Sequence, residues 1–301
     1  MKKLLFILAG VAGLSVALLY LFWTPRAQMR DWTGITGDAV RGAYVARLAD
    51  CAACHTLPKG AGPLFAGGAP IKTPFGSFSA PDITSDPVTG IGSWTRDAFA
   101  QAVLNGADPD GSSYYPVFPY PSFAHLSTQD VADLWAYLKT VPPAPSTASG
   151  HDLTWPFSQR VLMRAWKNLF FRPAPFKPNL KRGAAWNRGA YIVTGPGHCG
   201  ECHSPRGWLG NTQGGRALSG GIGPDGKKVP TITARALAED GWTRGDVAFA
   251  LRLGLAPDGD TLDGAMAEVI AQSTRHFTPE DRSAIDTYIL DLPDPAPKSD
   301  R

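Results

Sequence analysis

The sequence predicts an all-α protein made of two similar domains, and three observations support this prediction. Apolar residues recur at helical spacing, and no run of residues shows the alternating pattern of a strand. Blocks of sequence recur at long range with fixed spacing, as expected of an internal repeat. A Cys-x-x-Cys-His motif occurs twice and uses all 4 cysteines of the chain. A chain of 301 residues is long enough for two domains of ordinary size.

The two motifs have the pattern of covalent haem attachment. Two thiols add to the haem vinyl groups, and the adjacent imidazole becomes an axial ligand of the iron. A thioredoxin-like redox pair would need a βαβ context, and a zinc site has no need of a His after each second Cys. The sequence therefore predicts two covalently bound haem c groups. The attachment residues are Cys51, Cys54, Cys199 and Cys202, and the iron ligands of the motifs are His55 and His203.

The amino terminus predicts a membrane anchor. Two lysines precede 20 uncharged residues, 4–23, which are enough to cross a bilayer core. The lysines favour a cytoplasmic amino terminus and export of everything that follows. We therefore expect residues 1–23 to form a transmembrane helix, with a cleaved signal peptide as the alternative. Export fits the motifs, since bacterial haem attachment of this type occurs outside the inner membrane, and it predicts a location at the periplasmic face of that membrane.

The repeat defines the domains. Arg41-Gly42-Ala43-Tyr44 precedes the first motif, and Arg188-Gly189-Ala190-Tyr191 precedes the second. A Trp-Thr-Arg triplet begins 39 residues after each motif His, and Pro-Asp-Gly begins 54 residues after it. Two tandem class I-type cytochrome c domains are predicted, over residues 35–141 and 182–294.

Helices are expected at corresponding places in the first domain. One covers residues 38–48, and apolar residues at 99, 103 and 104 indicate another. A third contains Val131, Leu134 and Leu138, with Ser127 as its N-cap, and ends before Pro142.

A Pro-rich linker, residues 142–181, joins the two domains, and residues 295–301 form a tail. Within the linker, residues 158–170 are predicted to form an amphipathic helix that packs between the domains or, alternatively, docks on a partner subunit. Its apolar face comprises Val161, Leu162, Ala165, Trp166, Leu169 and Phe170.

The sixth iron ligand differs between the two domains. Met266 lies 63 residues after His203, in the loop where a distal Met is expected, and is predicted to ligate the second iron. The same count from His55 reaches Phe118, which cannot bind iron. His125 is a possible substitute, although His276 recurs at the matching place in the second domain, as a residue that only begins a helix would. The first iron could also be five-coordinate.

Several motifs resemble the cytochrome c subunits of membrane-bound bacterial alcohol, gluconate, sorbitol and fructose dehydrogenases. The resemblance covers residues 39–292 and implies an electron-transfer subunit. Members of that family usually carry three haem domains, and they usually have Met where this chain has Phe118. The motifs are Gly90-Ile91-Gly92-Ser93-Trp94, the Tyr115–Ser122 segment Tyr-Pro-Val-Phe-Pro-Tyr-Pro-Ser, the linker run from Trp155 to Phe171, and Gly197-His198 with the second motif.

The predicted function is that of a membrane-anchored dihaem cytochrome. It would relay electrons from a periplasmic dehydrogenase to a respiratory acceptor, without binding an organic substrate itself. The alternative is an enzyme that uses an open or labile first haem iron for small-molecule redox chemistry. A net charge of +3 without a basic block does not indicate a nucleic-acid partner.

Overall fold

The computed structural model describes residues 2–23, 29–223 and 226–292, so the predicted tail at 295–301 lies outside the described residues. Most of the regular structure is helical, and short 3₁₀ turns cover Pro58–Gly60, Gly214–Arg216 and Thr274–His276. The helices are α1 Lys2–Phe22, α2 Ala39–Leu48, α3 Cys51–His55, α4 Arg96–Asn105, α5 Tyr120–Phe123, α6 Thr128–Leu138, α7 Leu162–Phe170, α8 Ala184–Thr194, α9 Gly200–His203, α10 Ala234–Glu239, α11 Asp246–Leu253, α12 Gly264–Gln272 and α13 Pro279–Ile289.

The prediction of an all-α fold is wrong, because the structure also contains two small antiparallel sheets. The first has the order β1-β2-β3, with β1 Ile71–Thr73, β2 Gly76–Phe78 and β3 Asp152–Leu153. The second pairs β4 Gly221–Ile222 with β5 Lys228–Val229. Strands of two or three residues are too short to show an alternating pattern, which is why the sequence did not reveal them.

The predicted transmembrane helix is also wrong. Among the helices of the described residues, none is both long enough and apolar enough to cross a membrane. Residues 2–22 do form a helix, α1, but its carboxyl end packs against α7. The side-chain amide of Asn168 donates to the carbonyl oxygens of Tyr20, Leu21 and Trp23 at 2.8 to 3.1 Å.

The same helix crossing occurs in both sequence repeats, here called the first repeat (residues 35–141) and the second repeat (residues 182–292). Helix α2 packs on α6, and α8 packs on α13. A glycine permits each crossing: a Cβ at Gly42 would lie 1.9 Å from the carbonyl oxygen of Asp133, and one at Gly189 would lie 2.0 Å from that of Ala284. No larger residue fits at either crossing without moving a backbone.

The later helices of each repeat begin with matching N-caps. The side chains of Ser127 and Thr278 accept a hydrogen bond from the backbone N–H of Asp130 and Asp281, respectively. The predicted boundaries of α2 and α6 agree with the structure within a residue or two. One continuous buried cluster contains Val45 and Leu134 from the first repeat together with Ile192 and Ile285 from the second, so the two repeats share a core.

Helix α7 bridges the repeats but is shorter than predicted. Residues 159–163 form tight turns with i→i−3 hydrogen bonds, and the α-helix begins only at Leu162. Its buried residues include Met163 and Trp166, whereas Leu169 of the predicted apolar face is 50% exposed. The indole of Trp166 donates to the carbonyl oxygen of Leu209 in the second repeat at 2.9 Å, which places α7 between the repeats.

Candidate haem sites

The first motif forms a single helical turn with its imidazole held by the backbone. Helix α3 consists of the motif itself, so the thiols of Cys51 and Cys54 lie one turn apart on it. The Nδ1 atom of His55 lies 2.7 Å from the carbonyl oxygen of Pro81. This hydrogen bond keeps the proton on Nδ1 and leaves the lone pair on Nε2, the form in which imidazole binds iron.

The second motif has the same geometry. Cys199 precedes the helical turn α9, which ends at His203. The Nδ1 atom of His203 lies 2.9 Å from the carbonyl oxygen of Pro230. Pro81 and Pro230 follow their imidazoles by 26 and 27 residues, and each begins a Pro-x-Ile-Thr segment. Our sequence reasoning missed both prolines, although this third repeated segment was a signal that could have revealed them.

The residues present fit covalently attached haem at both places. All four cysteines lie within the described residues, and none forms a disulfide. Burial lowers the pKa of His55 and of His203, while the proline carbonyls act in the opposite direction. Both imidazoles are therefore neutral at pH 7, as iron ligation requires. The binding residues for each group would be the two thiols and the imidazole of one motif.

The loop expected to face the first iron is filled with aromatic rings. Phe118 packs against Tyr114, Tyr120 and Phe123, with ring centroids 5.6 to 6.4 Å apart. The hydroxyl of Tyr120 is buried without a hydrogen-bond partner among the described residues, and burial strongly raises the pKa of this phenol. This cluster contains neither Met nor His, and burial raises the pKa of its two phenols, Tyr114 and Tyr120, which favours their neutral form over the phenolate that binds iron.

His125 lies at the boundary between the two repeats. Its Nδ1 atom is 2.7 Å from the carbonyl oxygen of Thr194, and its Cβ lies against the position of Gly195. It also lines a cavity of about 530 Å³ together with Arg30, Arg188 and Tyr191. These contacts locate His125 at the boundary between the repeats, whereas the recurrence of His276 predicts only a residue that begins a helix.

Met266 lies in the first turn of α12 and is partly buried. The same helix packs against α3 of the first motif. Glu268, one half-turn further on, is close enough to Asp50 and Cys54 to raise the pKa of both groups. The helix that carries the predicted ligand of the second iron therefore also contacts the first attachment site.

Asp50 and His198 occupy corresponding positions, each directly before the first Cys of a motif. Both have a left-handed backbone, with φ of 49° and 37°. Burial, and then the charge of Glu268, raise the pKa of Asp50 to about 8, and its Oδ1 atom is buried without a hydrogen-bond partner among the described residues. The ring of His198 packs edge-on against Phe123 of the first repeat, at 5.6 Å.

Comparison with known proteins agrees with this geometry. The family model described as "Cytochrome c" matches residues 39–142. Together with the helix crossing, the helical motif and the carbonyl-bound imidazole, this match shows a cytochrome c fold. The matched residues, 39–142, cover the first repeat alone.

Several relatives match nearly the whole chain. A protein of Cereibacter sphaeroides named "Diheme cytochrome c-type" is 40% identical over 296 residues, which are 96% of this chain and 96% of that protein. The cytochrome c subunit of an alcohol dehydrogenase (quinone) from Gluconacetobacter polyoxogenes is 40% identical over 86% of this chain. The gluconate 2-dehydrogenase cytochrome c subunit of Pantoea cypripedii is 37% identical over 92% of it. The chain belongs to this family of dihaem cytochromes and dehydrogenase cytochrome c subunits.

The predicted resemblance is therefore confirmed for the cytochrome subunits of alcohol, gluconate and fructose dehydrogenases. The chain spans 56% of the length of the alcohol dehydrogenase subunit and 65% of that of the gluconate dehydrogenase subunit. It spans 59% of a third relative, the fructose dehydrogenase cytochrome subunit of Gluconobacter japonicus. These longer relatives thus contain sequence with no counterpart here.

Proposed function

We propose that this chain is a dihaem electron-transfer cytochrome, with one haem c on each motif. The observation that carries the proposal is the matched pair of imidazoles, each with Nδ1 bound to a proline carbonyl and Nε2 left for iron. When bound, each haem supplies an iron that gains and loses one electron. The chain supplies the attachment thiols, the axial imidazole and a surrounding apolar core.

Haem content tests this proposal directly. The purified chain should contain two haems, the double variant Cys51→Ser/Cys54→Ser should keep only the second, and Cys199→Ser/Cys202→Ser should keep only the first. Denatured protein analysed by mass spectrometry would show the covalent additions. His276→Ala, away from both motifs, is the control and should keep two. A wild-type chain that carries a single haem would contradict the proposal.

The electron donor we propose is a dehydrogenase, and the acceptor a respiratory one. This follows from the relatives, of which three are named as cytochrome subunits of alcohol, gluconate and fructose dehydrogenases. Because bacterial haem attachment of this type occurs outside the inner membrane, we propose that the chain acts in the periplasm. The native protein, isolated with its partner, should be reduced when the partner's substrate is added. The double variant that lacks both His55 and His203 is the control, because its irons lose their axial imidazoles.

We infer that the sixth ligand of the second iron is Met266, and that His125 does not ligate the first. The inference on Met266 rests on its spacing from His203. The inference on His125 rests on its position in the cavity lined by Arg30, Arg188 and Tyr191 at the boundary between the repeats. His125→Ala should then leave the spectrum of the first haem unchanged, whereas Met266→Ala should remove methionine ligation from the second. A high-spin first haem in the His125 variant alone would contradict the assignment.

A further inference from the structure

Two tyrosines make reciprocal hydrogen bonds between the repeats. The Tyr44 hydroxyl, from α2, donates to a carboxylate oxygen of Asp281 at 2.7 Å and accepts from the backbone N–H of Thr278 at 3.0 Å. The Tyr191 hydroxyl, from α8, donates to the carboxylate of Asp130 and accepts from the backbone N–H of Ser127 at 3.1 Å. Each tyrosine thus binds the N-cap and the first-turn carboxylate of the last helix of the other repeat.

The reciprocity extends to the helix ends that follow these tyrosines. Arg47 and Thr194 both lie three residues after their tyrosine. The carbonyl oxygen of Arg47 accepts from the hydroxyl of Ser273 at 2.7 Å, and that of Thr194 lies 2.7 Å from Nδ1 of His125. Both carbonyls are capped by a side chain that precedes the last helix of the opposite repeat.

Further contacts between the repeats involve the two attachment motifs. Ser122, in α5 of the first repeat, donates to the carboxylate of Glu201 at 3.0 Å, and Glu201 lies between the two cysteines of the second motif. Phe123 packs on His198, directly before that motif. On the other side, α12 of the second repeat packs on α3. Each motif is therefore in contact with the opposite repeat.

Resting on the proposed function, we propose that Tyr44 and Tyr191 are positioning residues that hold the two attachment motifs in one fixed mutual position for electron exchange between two bound haems. The apolar core shared by the repeats is non-directional and would tolerate sliding. Hydrogen bonds from a phenol to a carboxylate and from a backbone N–H to the phenol are directional, and they fix the register.

The hydrogen bonds of the two tyrosines are also strong enough to fix the relative position of the repeats. Tyr191 is 8% exposed, so its hydrogen bonds are shielded from water. Asp281 is further oriented by two hydrogen bonds from Arg188, each of 2.7 Å. Loss of a hydrogen bond to a charged partner shifts an equilibrium by roughly tenfold or more. Removal of both hydroxyls should therefore let the repeats adopt a range of relative positions.

The test uses the full chain produced with covalent haem, as the variants Tyr44→Phe, Tyr191→Phe and the double variant. The control is Tyr137→Phe, which removes the hydroxyl of a tyrosine that packs on Phe65 within the first repeat. Pulsed electron paramagnetic resonance measures the distribution of distances between the two irons. Amide hydrogen exchange at Ser127 and Thr278 reports on each contact separately.

We expect each single variant to speed exchange about tenfold at its own N-cap amide, and the double variant to broaden the iron–iron distance distribution while the control leaves both unchanged. A double variant with two haems and an unaltered, narrow distribution would overturn the proposal. A wild-type chain with fewer than two haems would instead contradict the proposed function. The exchange measurement decides separately whether the tyrosines hold the repeats together. Unchanged exchange rates at the Ser127 and Thr278 amides would overturn this part of the proposal.

Discussion

Lys167 shows, at the scale of one residue, how burial lowers the pKa of an ammonium group. The side chain is 5% exposed, and its ammonium group donates to the carbonyl oxygen of Gly106 at 3.1 Å and lies over the ring of Tyr120. Burial lowers the pKa of Lys167 from 10.5 to about 8, and Asp108 offsets only part of this effect. The folded protein therefore holds this ammonium group at a cost in free energy at neutral pH.

The unfavourable contribution of Lys167 to stability should consequently decrease as pH rises. Between pH 8 and 10.5 the unfolded chain binds more protons at Lys167 than the folded chain does, so the contribution of this residue to the free energy of unfolding rises with pH. The contribution is on the order of 2–3 kcal/mol. Denaturant unfolding should show that the free energy of unfolding of the wild type rises relative to that of Lys167→Met across this range, since the buried tyrosines affect both proteins alike. The exposed Lys72→Met is the control, and an equal slope in all three proteins would contradict the prediction.

Phe118 carries a second prediction at the residue scale. Phe118→Met places a thioether where the count from His55 expects an iron ligand, and Met ligation raises the reduction potential. We expect a second methionine-ligated haem in the optical spectrum and a higher potential for the first haem. Val117→Met, one residue away and 38% exposed, is the control. Identical spectra for the two variants would show that position 118 does not face the iron.

At the residue scale the sequence predicts the attachment cysteines and the imidazoles, but not the contacts that orient them. The cysteines and imidazoles follow from a motif whose spacing is chemically required. The carbonyl oxygens of Pro81 and Pro230 were missed, because a backbone acceptor requires no particular residue type and only the repeated Pro-x-Ile-Thr segment pointed to them. The aromatic cluster around Phe118 was likewise hidden, since its members come together only through the folding of the 114–123 segment.

At the scale of elements, the helix crossings give the sharpest prediction. Gly42→Ala would place a methyl group 1.9 Å from the backbone oxygen of Asp133, which cannot rotate away as a side chain could. We expect a loss of about 1–3 kcal/mol in the free energy of unfolding, and a similar loss for Gly189→Ala. Gly214→Ala is the control, because a Cβ there has no neighbour within 4 Å. An unchanged melting temperature for Gly42→Ala would contradict the close crossing.

The elements that the sequence predicted least well are those shaped by tertiary contacts. Helix α7 follows the expected periodicity, but its contacts with α1 and with the loop that contains Leu209 determine which of its residues are buried. The interpretation of α1 as a membrane span rested on its length, its lack of charge and the two preceding lysines, and the polar contacts of Asn168 with its carboxyl end are not visible in the sequence. The strands β1 to β5 are defined by their partners rather than by their own two or three residues.

At the scale of the whole molecule, the shared core predicts that the repeats stay together without a covalent link. Leu180 is 94% exposed in the segment that leads into the second repeat. A protease site inserted between Leu180 and Lys181 should be cut without loss of the folded protein. The two pieces should elute together in size-exclusion chromatography and separate only in denaturant. Separation under native conditions would contradict the shared core.

The repeat itself was visible in the sequence, whereas the relation between its copies was not. Conserved spacing reveals two similar folding units but carries no information on how one lies against the other. That arrangement depends on pairs such as Tyr44 with Asp281, which are 237 residues apart in the chain.

The reciprocal tyrosine contacts also bear on ancestry. In an isologous interface, residue i of the first unit contacts residue j of the second, and residue j of the first contacts residue i of the second. The contacts between the repeats are of this kind, which homodimers form. The two repeats therefore meet as two copies of a single-domain protein would. Fusion of the two halves of such a homodimer would produce an interface of this kind, in which equivalent residues make equivalent contacts. Two copies joined in one chain can differ at matching positions, as Phe118 and Met266 do here.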